Sequence, residues 1–315
     1  MGCVYAIDAL GTDAAALGRG IDAALDEVDR IDRLMSHYRP ESALSRLNRE
    51  AARRPVTVEP ELFEFLARSL QYSGESDGAF DITVGPLMKV WGFFDGEGRL
   101  PASGELAQAR RRVGYRHVRL NLADRTVRFD VDGVEIDLGG IAKGYAVDRA
   151  VAVLAAHDVT AALVSAGGST VHASGAPPGL DAWDIHVQDP VAPGKVAFTV
   201  ALRDRAMSIA GSTEKYFEAG GARYSHIMDP RTGRPVQGIL SVVAIAATGT
   251  EADALDNVLF VKGLDESRHY LAWREDVEAY FILPQARGWT LTSLHAGRPR
   301  RTPSSVGSRT PSLLR

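Results

Sequence analysis

The sequence predicts an α+β fold: mixed, largely antiparallel sheets with interleaved helices, in a single compact unit over residues 1–295. Three observations carry that expectation. Short runs of alternating hydrophobicity recur in adjacent pairs, as hairpins do. Amphipathic segments of helical period fall between those pairs. Helices do not follow each strand in turn, as a doubly wound parallel sheet would require.

Residues 13–35 place Ile21, Ala24, Leu25, Val28, Ile31 and Leu34 on one stripe, which predicts a helix. A second helix is predicted over 60–72, opening on Pro60 with Leu62, Phe65, Leu66 and Leu70 inward. The stretch SHYRPESALSRLN between them is polar and turn-rich. Val118, Leu120 and Leu122 alternate with polar residues, as do Val127, Phe129 and Val131. Asp132-Gly133 then predicts a hairpin turn into a strand carrying Val134, Ile136 and Leu138. A helix is expected over about 142–157, and AALVSA reads as a buried strand ending at Gly167-Gly168. Trp183, Ile185 and Val187 alternate, and 196–202 with 205–209 read as a strand pair. ILSVVAIAA (239–247) is a continuous buried strand, followed by a helix over 251–262; YFILP and WTLTSL complete the ordered part.

The 315 residues carry a net charge of -4, which gives no reason to expect nucleic acid as the main partner. One cysteine, Cys3, excludes an internal disulfide framework and a cysteine-based metal cluster. No apolar run approaches the roughly 20 residues that span a bilayer. MGCVYAIDAL shows no export signal, so the chain as written reads as cytoplasmic, or as periplasmic or membrane-anchored if an upstream signal is missing. Residues 296–315 form a basic tail of Arg, Pro, Ser and Gly whose composition cannot build a core, and disorder is the expectation there.

Five stretches offer chemistry. IDLGGIAKGYAVDRA (136–150) sets Gly139, Gly140, Lys143 and Gly144 at a strand-to-helix junction behind Asp137. It reads either as a tight turn or as a loop that lets backbone approach a phosphate. It matches neither a P-loop nor G-x-G-x-x-G. In TEADALDNVLF (250–260), Thr250 and Asp253 have capping-box spacing. Asp253, Asp256 and Asn257 also share one helix face, and hard oxygens beside a phosphate loop suit Mg²⁺. In YSHIMDPRTGRPV (224–236), Asp229-Pro230 and Thr232-Gly233 make a turn, preceded by His226 where an imidazole is placed to titrate near neutral pH. In DGAFDITVGPLMKVWGF (77–93), Phe80, Trp91 and Phe93 form either an aromatic wall for a planar ring or core. LVSAGGST (163–170) adds a second Gly-Gly pair after a buried strand. G-x-S-x-G, a catalytic Cys/His pair and a zinc signature are absent, so the polar atoms suit phosphate and magnesium better than acyl transfer.

Taken in order, MGCVYAID, SHYRPESALSRLN, DGAFDITVGPL, IDLGGIAKGYAVD, SAGG, KYFE, YSHIMDPRTG and EADAL resemble the ApbE family, the FAD:protein FMN transferases, from residue 1 to about 263. The resemblance implies a magnesium-dependent enzyme that cleaves FAD, releases AMP and links FMN to a Thr or Ser of a target flavoprotein. It puts FAD contacts on Met1, Tyr38, Ala79, Phe80, Asp81, Asp137, Lys143 and Ile227. It puts the metal on the main-chain carbonyl of Gly140, on Asp253 and on position 257. His226 is then the first candidate for the base that takes the acceptor's proton. The chain departs from the family pattern at Asn257 (usually Thr), at Ile209-Ala210-Gly211 (usually Thr-Ser-Gly), and at Ser165 and Ser169 (usually Asn and Asp). Those changes keep an alternative open: an FAD-binding protein or FAD pyrophosphatase without protein flavinylation. The family's acceptor motif, Asp-x-x-Ser/Thr-x-Ala-Thr, is not present in the chain.

Overall fold

The computed structural model describes residues 2–94 and 96–295. Met1 and the basic tail, both named above, lie outside them. In chain order the elements are β1 (Tyr5–Leu10), α1 (Ala14–Met35), α2 (Ala43–Glu50), β2 (Val56–Thr57), α3 (Pro60–Glu75), α4 (Gly85–Val90) and α5 (Ser103–Arg110). Then come β3 (Val118–Asn121), β4 (Thr126–Phe129), α6 (Ala142–Ala156), β5 (Ala161–Ala166), β6 (Thr170–Ser174), β7 (Trp183–Gln188), β8 (Val196–Leu202) and β9 (Arg205–Gly211). The chain continues with β10 (Tyr216–Ala219), β11 (Ala222–Ser225), β12 (Met228–Asp229), β13 (Arg234–Pro235), β14 (Ser241–Ala246), α7 (Gly249–Leu271), β15 (Glu278–Pro284) and β16 (Trp289–His295).

The predicted class is the observed one. Seven strands form an antiparallel sheet in the order β1-β5-β6-β9-β14-β15-β16. Strand β14 explains how it is layered. All six of its residues are buried, and successive side chains of a strand face opposite ways. Val242, Ala244 and Ala246 enter a core with Leu255 and Leu259 of α7. Val243 and Ile245 enter another, with Phe198 and Val200 of the separate β7–β8 hairpin. One sheet face is therefore covered by helices and the other by a hairpin. At the opposite end, Val164 of β5 packs in a core with Ile31 of α1, Phe65 of α3 and Val147 of α6.

Helices α6 and α7 position the site, and they exchange capping groups. Asp148 of α6 accepts from Gly249 N and Thr250 N at 2.6 and 2.9 Å, at the first turn of α7. Asp253 of α7 accepts from Gly144 N at 2.9 Å, at the first turn of α6. This exchange requires close backbones. A Cβ on Gly144 would overlap the Gly249 carbonyl, and one on Gly249 would lie 2.7 Å from Gly144 O. Gly144 is thus a packing residue, one part of the answer to why the junction is rich in glycine. Gly144→Ala should force the helices apart and cost about 3 kcal/mol, the upper range for overpacking. Urea unfolding would measure the loss, and an unchanged midpoint would contradict it.

Four local expectations are corrected. Residues 134–138 do not form a strand, because a side chain takes the neighbour's place. Asn48 of α2 accepts from Ile136 N at 2.8 Å and donates to Ile136 O at 2.9 Å. The same asparagine lies on a helix within the stretch expected to be turns, with Ser42 capping at Ser45 N. Segment 196–202 pairs with β7, and 205–211 joins the large sheet, so the two are not a hairpin pair. The cap of α7 is Thr248, whose side chain accepts from Glu251 N. Thr250 Oγ1 instead donates to Asp148, and Asp253 serves α6, so Thr250 and Asp253 do not form a capping box.

Candidate active site

A cleft of about 370 Å³ opens where the 137–143 turn, the first turn of α6 and the middle of α7 meet the β11–β12 connection. That volume falls within the usual range for small-molecule sites. Tyr38, Ala79, Phe80, Asp81, Asp137, Gly140, Lys143, His226, Ile227 and Asn257 all line it. These candidates, scattered over the sequence, are therefore gathered in one place, while Asp253 is fully buried and does not line the cleft. Of the three aromatics, Phe80 and Phe93 line the cleft, whereas Trp91 is core and donates its indole N–H to Gly233 O at 2.9 Å.

The turn is held by Asp137. Its carboxylate accepts from Gly139 N at 2.8 Å and sits 3.1 Å from His37 Nδ1. Burial opposes its ionisation, but the His37 hydrogen bond and charge and the Gly139 N–H hold it below the usual carboxylate range. His37 in turn stacks on Phe94 at 4.6 Å. Asp81 is also committed to the fold: its carboxylate accepts from Thr83 N, Thr83 Oγ1 and Tyr115 N at 2.6–2.8 Å.

Behind the turn lies an excess of acid. Asp253 and Asp256 are 0% and 1% exposed. The Lys143 ammonium reaches Asp253 Oδ1 at 3.2 Å. Burial opposes the charge on Lys143, yet the two carboxylates outweigh it and raise its pKa. Burial and the charge of Asp253 together push Asp256 well above the carboxylate range. Two buried carboxyls thus share one ammonium. The Asn257 amide nitrogen lies 2.7 Å from Asp256 Oδ1, 3.0 Å from Asp253 O and 3.4 Å from Gly140 O, at the centre of this oxygen cluster. An amide turned through 180° would offer its oxygen instead. No group of three or more His, Cys, Asp or Glu able to hold a metal exists among the described residues. A cation here would rely on two carboxylates plus carbonyl oxygens, the donor set that suits Mg²⁺.

His226 stands at the end of the β10–β11 hairpin. Its backbone N–H donates to Lys215 O at 3.0 Å, and its Nδ1 lies 3.2 Å from the same carbonyl. A carbonyl only accepts, so Nδ1 carries the proton and Nε2 keeps a lone pair. Desolvation lowers its pKa to about 4, so the ring is neutral at physiological pH.

The sequence matches the ApbE family model over residues 1–281. The chain belongs to the ApbE family. Among its relatives in that family is an FAD:protein FMN transferase of Treponema pallidum, 35% identical over 85% of this chain and 79% of the relative. One from Salmonella typhimurium is 30% identical over 92% of this chain and 84% of its own. Solved ApbE structures share the fold. The ApbE protein of Thermotoga maritima aligns with a TM-score of 0.80 at 30% identity, covering 92% of each chain. The flavin transferase ApbE of Vibrio cholerae aligns at 0.80 and 28% identity, covering 93% of this chain and 94% of that one.

All of the ApbE departures but Ser165 fall inside the site. Ile209, Ala210, Ser169 and Asn257 all line the cleft. Asp256, which the sequence set on the helix face of Asp253, also lines it, as do Glu214, Lys215 and His37, which the sequence did not nominate. Asp256 was legible, since it shares a helix face with Asp253. Glu214 and Lys215 sit in a polar run, STEK, whose composition carries no ligand signal.

Proposed function

We propose that this ApbE-family chain transfers FMN from FAD to a Thr or Ser hydroxyl of a target flavoprotein, releasing AMP, in a magnesium-dependent reaction. One observation carries the reading. A neutral imidazole with a free Nε2 and a lysine backed by two buried carboxylates open on the same cleft.

The Gly140 carbonyl, Asp253, Asp256 and Asn257 would hold Mg²⁺, which when bound neutralises phosphate charge and makes phosphorus more electrophilic. The remaining work belongs to the chain. Lys143 stays protonated and offers positive charge to the FAD phosphates. Phe80, Ile227 and Tyr38 supply apolar surface for the flavin or adenine rings. His226 Nε2 takes the proton of the acceptor hydroxyl as its oxygen attacks the phosphorus that bears riboflavin. The bond from that phosphorus to the bridging oxygen breaks, and AMP leaves with that oxygen.

The missing hydroxyls at Ile209 and Ala210 favour a second reading, in which water replaces the acceptor and FAD is hydrolysed to FMN and AMP. The two are separated by following AMP chromatographically with FAD and Mg²⁺, with and without an acceptor domain carrying Asp-x-x-Thr-x-Ala-Thr. The transferase reading expects AMP release to depend on both acceptor and metal, and to stop in EDTA. AMP release at one rate with or without acceptor would support hydrolysis. None under any condition would exclude both.

A further inference from the structure

A second cleft, about 580 Å³, lies beside the first, and Asp81 and Pro230 form walls of both. Its character differs. Arg110 at the end of α5 lines it with Arg111, Arg116 and His117 of the segment that follows, and Arg231 lines it from the turn after His226. Such a concentration of guanidinium is local, since the chain as a whole carries a net charge of -4.

The arginines differ in how much charge is left over. Arg231 is paired with Asp229 at 2.9 Å and Glu266 at 3.5 Å. Arg110 spends one hydrogen bond on Arg231 O at 3.1 Å, and its stem lies against Gly233, which fixes it to the turn. Among the described residues, Arg111 makes no ion pair, and Arg116 lies over the Tyr115 ring at 5.3 Å without a carboxylate. Two acids, Asp77 and Asp81, line the cleft with them. Asp81 is saturated by Thr83 and Tyr115. Unpaired guanidiniums in a concave surface concentrate anions and bind carboxylates through paired N–H groups.

We propose that this cleft receives an acidic segment of the acceptor protein and thereby seats the acceptor hydroxyl at His226. This rests on the transferase reading for its purpose, and on the cleft's own charge for its chemistry. The geometry is economical. Pro230 is four residues from His226, so a chain held by Arg111 and Arg116 passes over the shared wall toward the base. A specific oligopeptide probe needs no catalysis, so this proposal is testable even if transfer fails.

The test uses the full chain and a fluorescein-labelled octaglutamate peptide, read by anisotropy at 50 and 300 mM NaCl, with octalysine as the control. FAD affinity is read separately by flavin fluorescence. The expected result is octaglutamate binding that weakens about tenfold or more between the two salts, as screening of several pairs requires. Octalysine should not bind. In Arg111→Glu/Arg116→Glu, octaglutamate affinity should fall by about another tenfold with FAD affinity unchanged. Both side chains are exposed, so the variant should unfold as the wild type does. Equal octaglutamate affinity in the two proteins would overturn the proposal. So would a parallel loss of FAD affinity, which would assign the cleft to a nucleotide phosphate.

Discussion

Replacing Asp253 by Asn is expected to lower FMN transfer by about 10–100-fold, the scale on which groups that support a metal site act, while the protein still folds. The separation of the two effects follows from the charge arrangement. Asp253 is fully buried and holds Gly144 N and Lys143. An amide of the same shape keeps its carbonyl on Gly144 N. It also removes the Asp253 charge, which after burial is the second cause that raises the pKa of Asp256. The change shifts Asp256 toward ionisation and leaves it as the remaining carboxyl facing Lys143, so the buried ammonium keeps an acidic neighbour. Stability should therefore change by no more than about 2 kcal/mol, below the cost of an orphaned buried charge. Turnover as a function of Mg²⁺ concentration, with urea unfolding of the same preparation, reads both. Wild-type turnover with an unchanged magnesium dependence would remove Asp253 from the site.

His226→Gln should reduce transfer by about 10²–10⁴, the usual contribution of a positioned general base, and leave FAD affinity within about threefold. Glutamine can still donate to Lys215 O, so the loss reports Nε2 basicity and not the loop's position. The pH dependence has a definite sign. The pKa of His226 is lowered by desolvation to about 4 from an ordinary 6.5. The base thus stays available throughout pH 5–8, and wild-type activity should not fall with an apparent pKa near 6.5. Stability behaves differently. The unfolded chain takes up a proton near 6.5 and the folded one not until about 4. The contribution of neutral His226 is therefore complete above 6.5 and is lost as pH falls toward 4. A transfer profile with an inflection near 6.5 that vanishes in His226→Gln would contradict the assignment.

The sequence made the elements with strong local period legible. The α1 stripe, the Pro60 start of α3, and the doubly buried β14 each follow from one rule of spacing. What escaped was set by distant partners. Ile136 finds its hydrogen bonds on Asn48, 88 residues away in the chain. Its hydrophobic alternation with Val134 and Leu138 mimics a strand, but the backbone has a side chain for a neighbour. The glycines of the 139–144 turn looked alike in sequence and differ in space. Gly139 donates its N–H to Asp137, Gly140 faces Asn257 and Phe80, and Gly144 admits the α7 backbone.

The site shows the same division. Ten of the residues nominated from motifs of the ApbE pattern line the cleft. The balance of charge was not legible, because the acidity of Asp256 depends on burial beside Asp253, and spacing on a helix face does not report burial. The Nδ1–H of His226 likewise depends on a carbonyl eleven residues earlier that the β10–β11 hairpin brings back.

The central claim is that one cleft both cleaves FAD and hands its FMN to a protein hydroxyl. Mass spectrometry of an acceptor domain after incubation with the protein, FAD and Mg²⁺ tests it most directly. The expected product carries one FMN added through a phosphoester to the motif Thr, absent in EDTA and absent when that Thr is Ala. An unmodified acceptor alongside accumulating free FMN and AMP would contradict it.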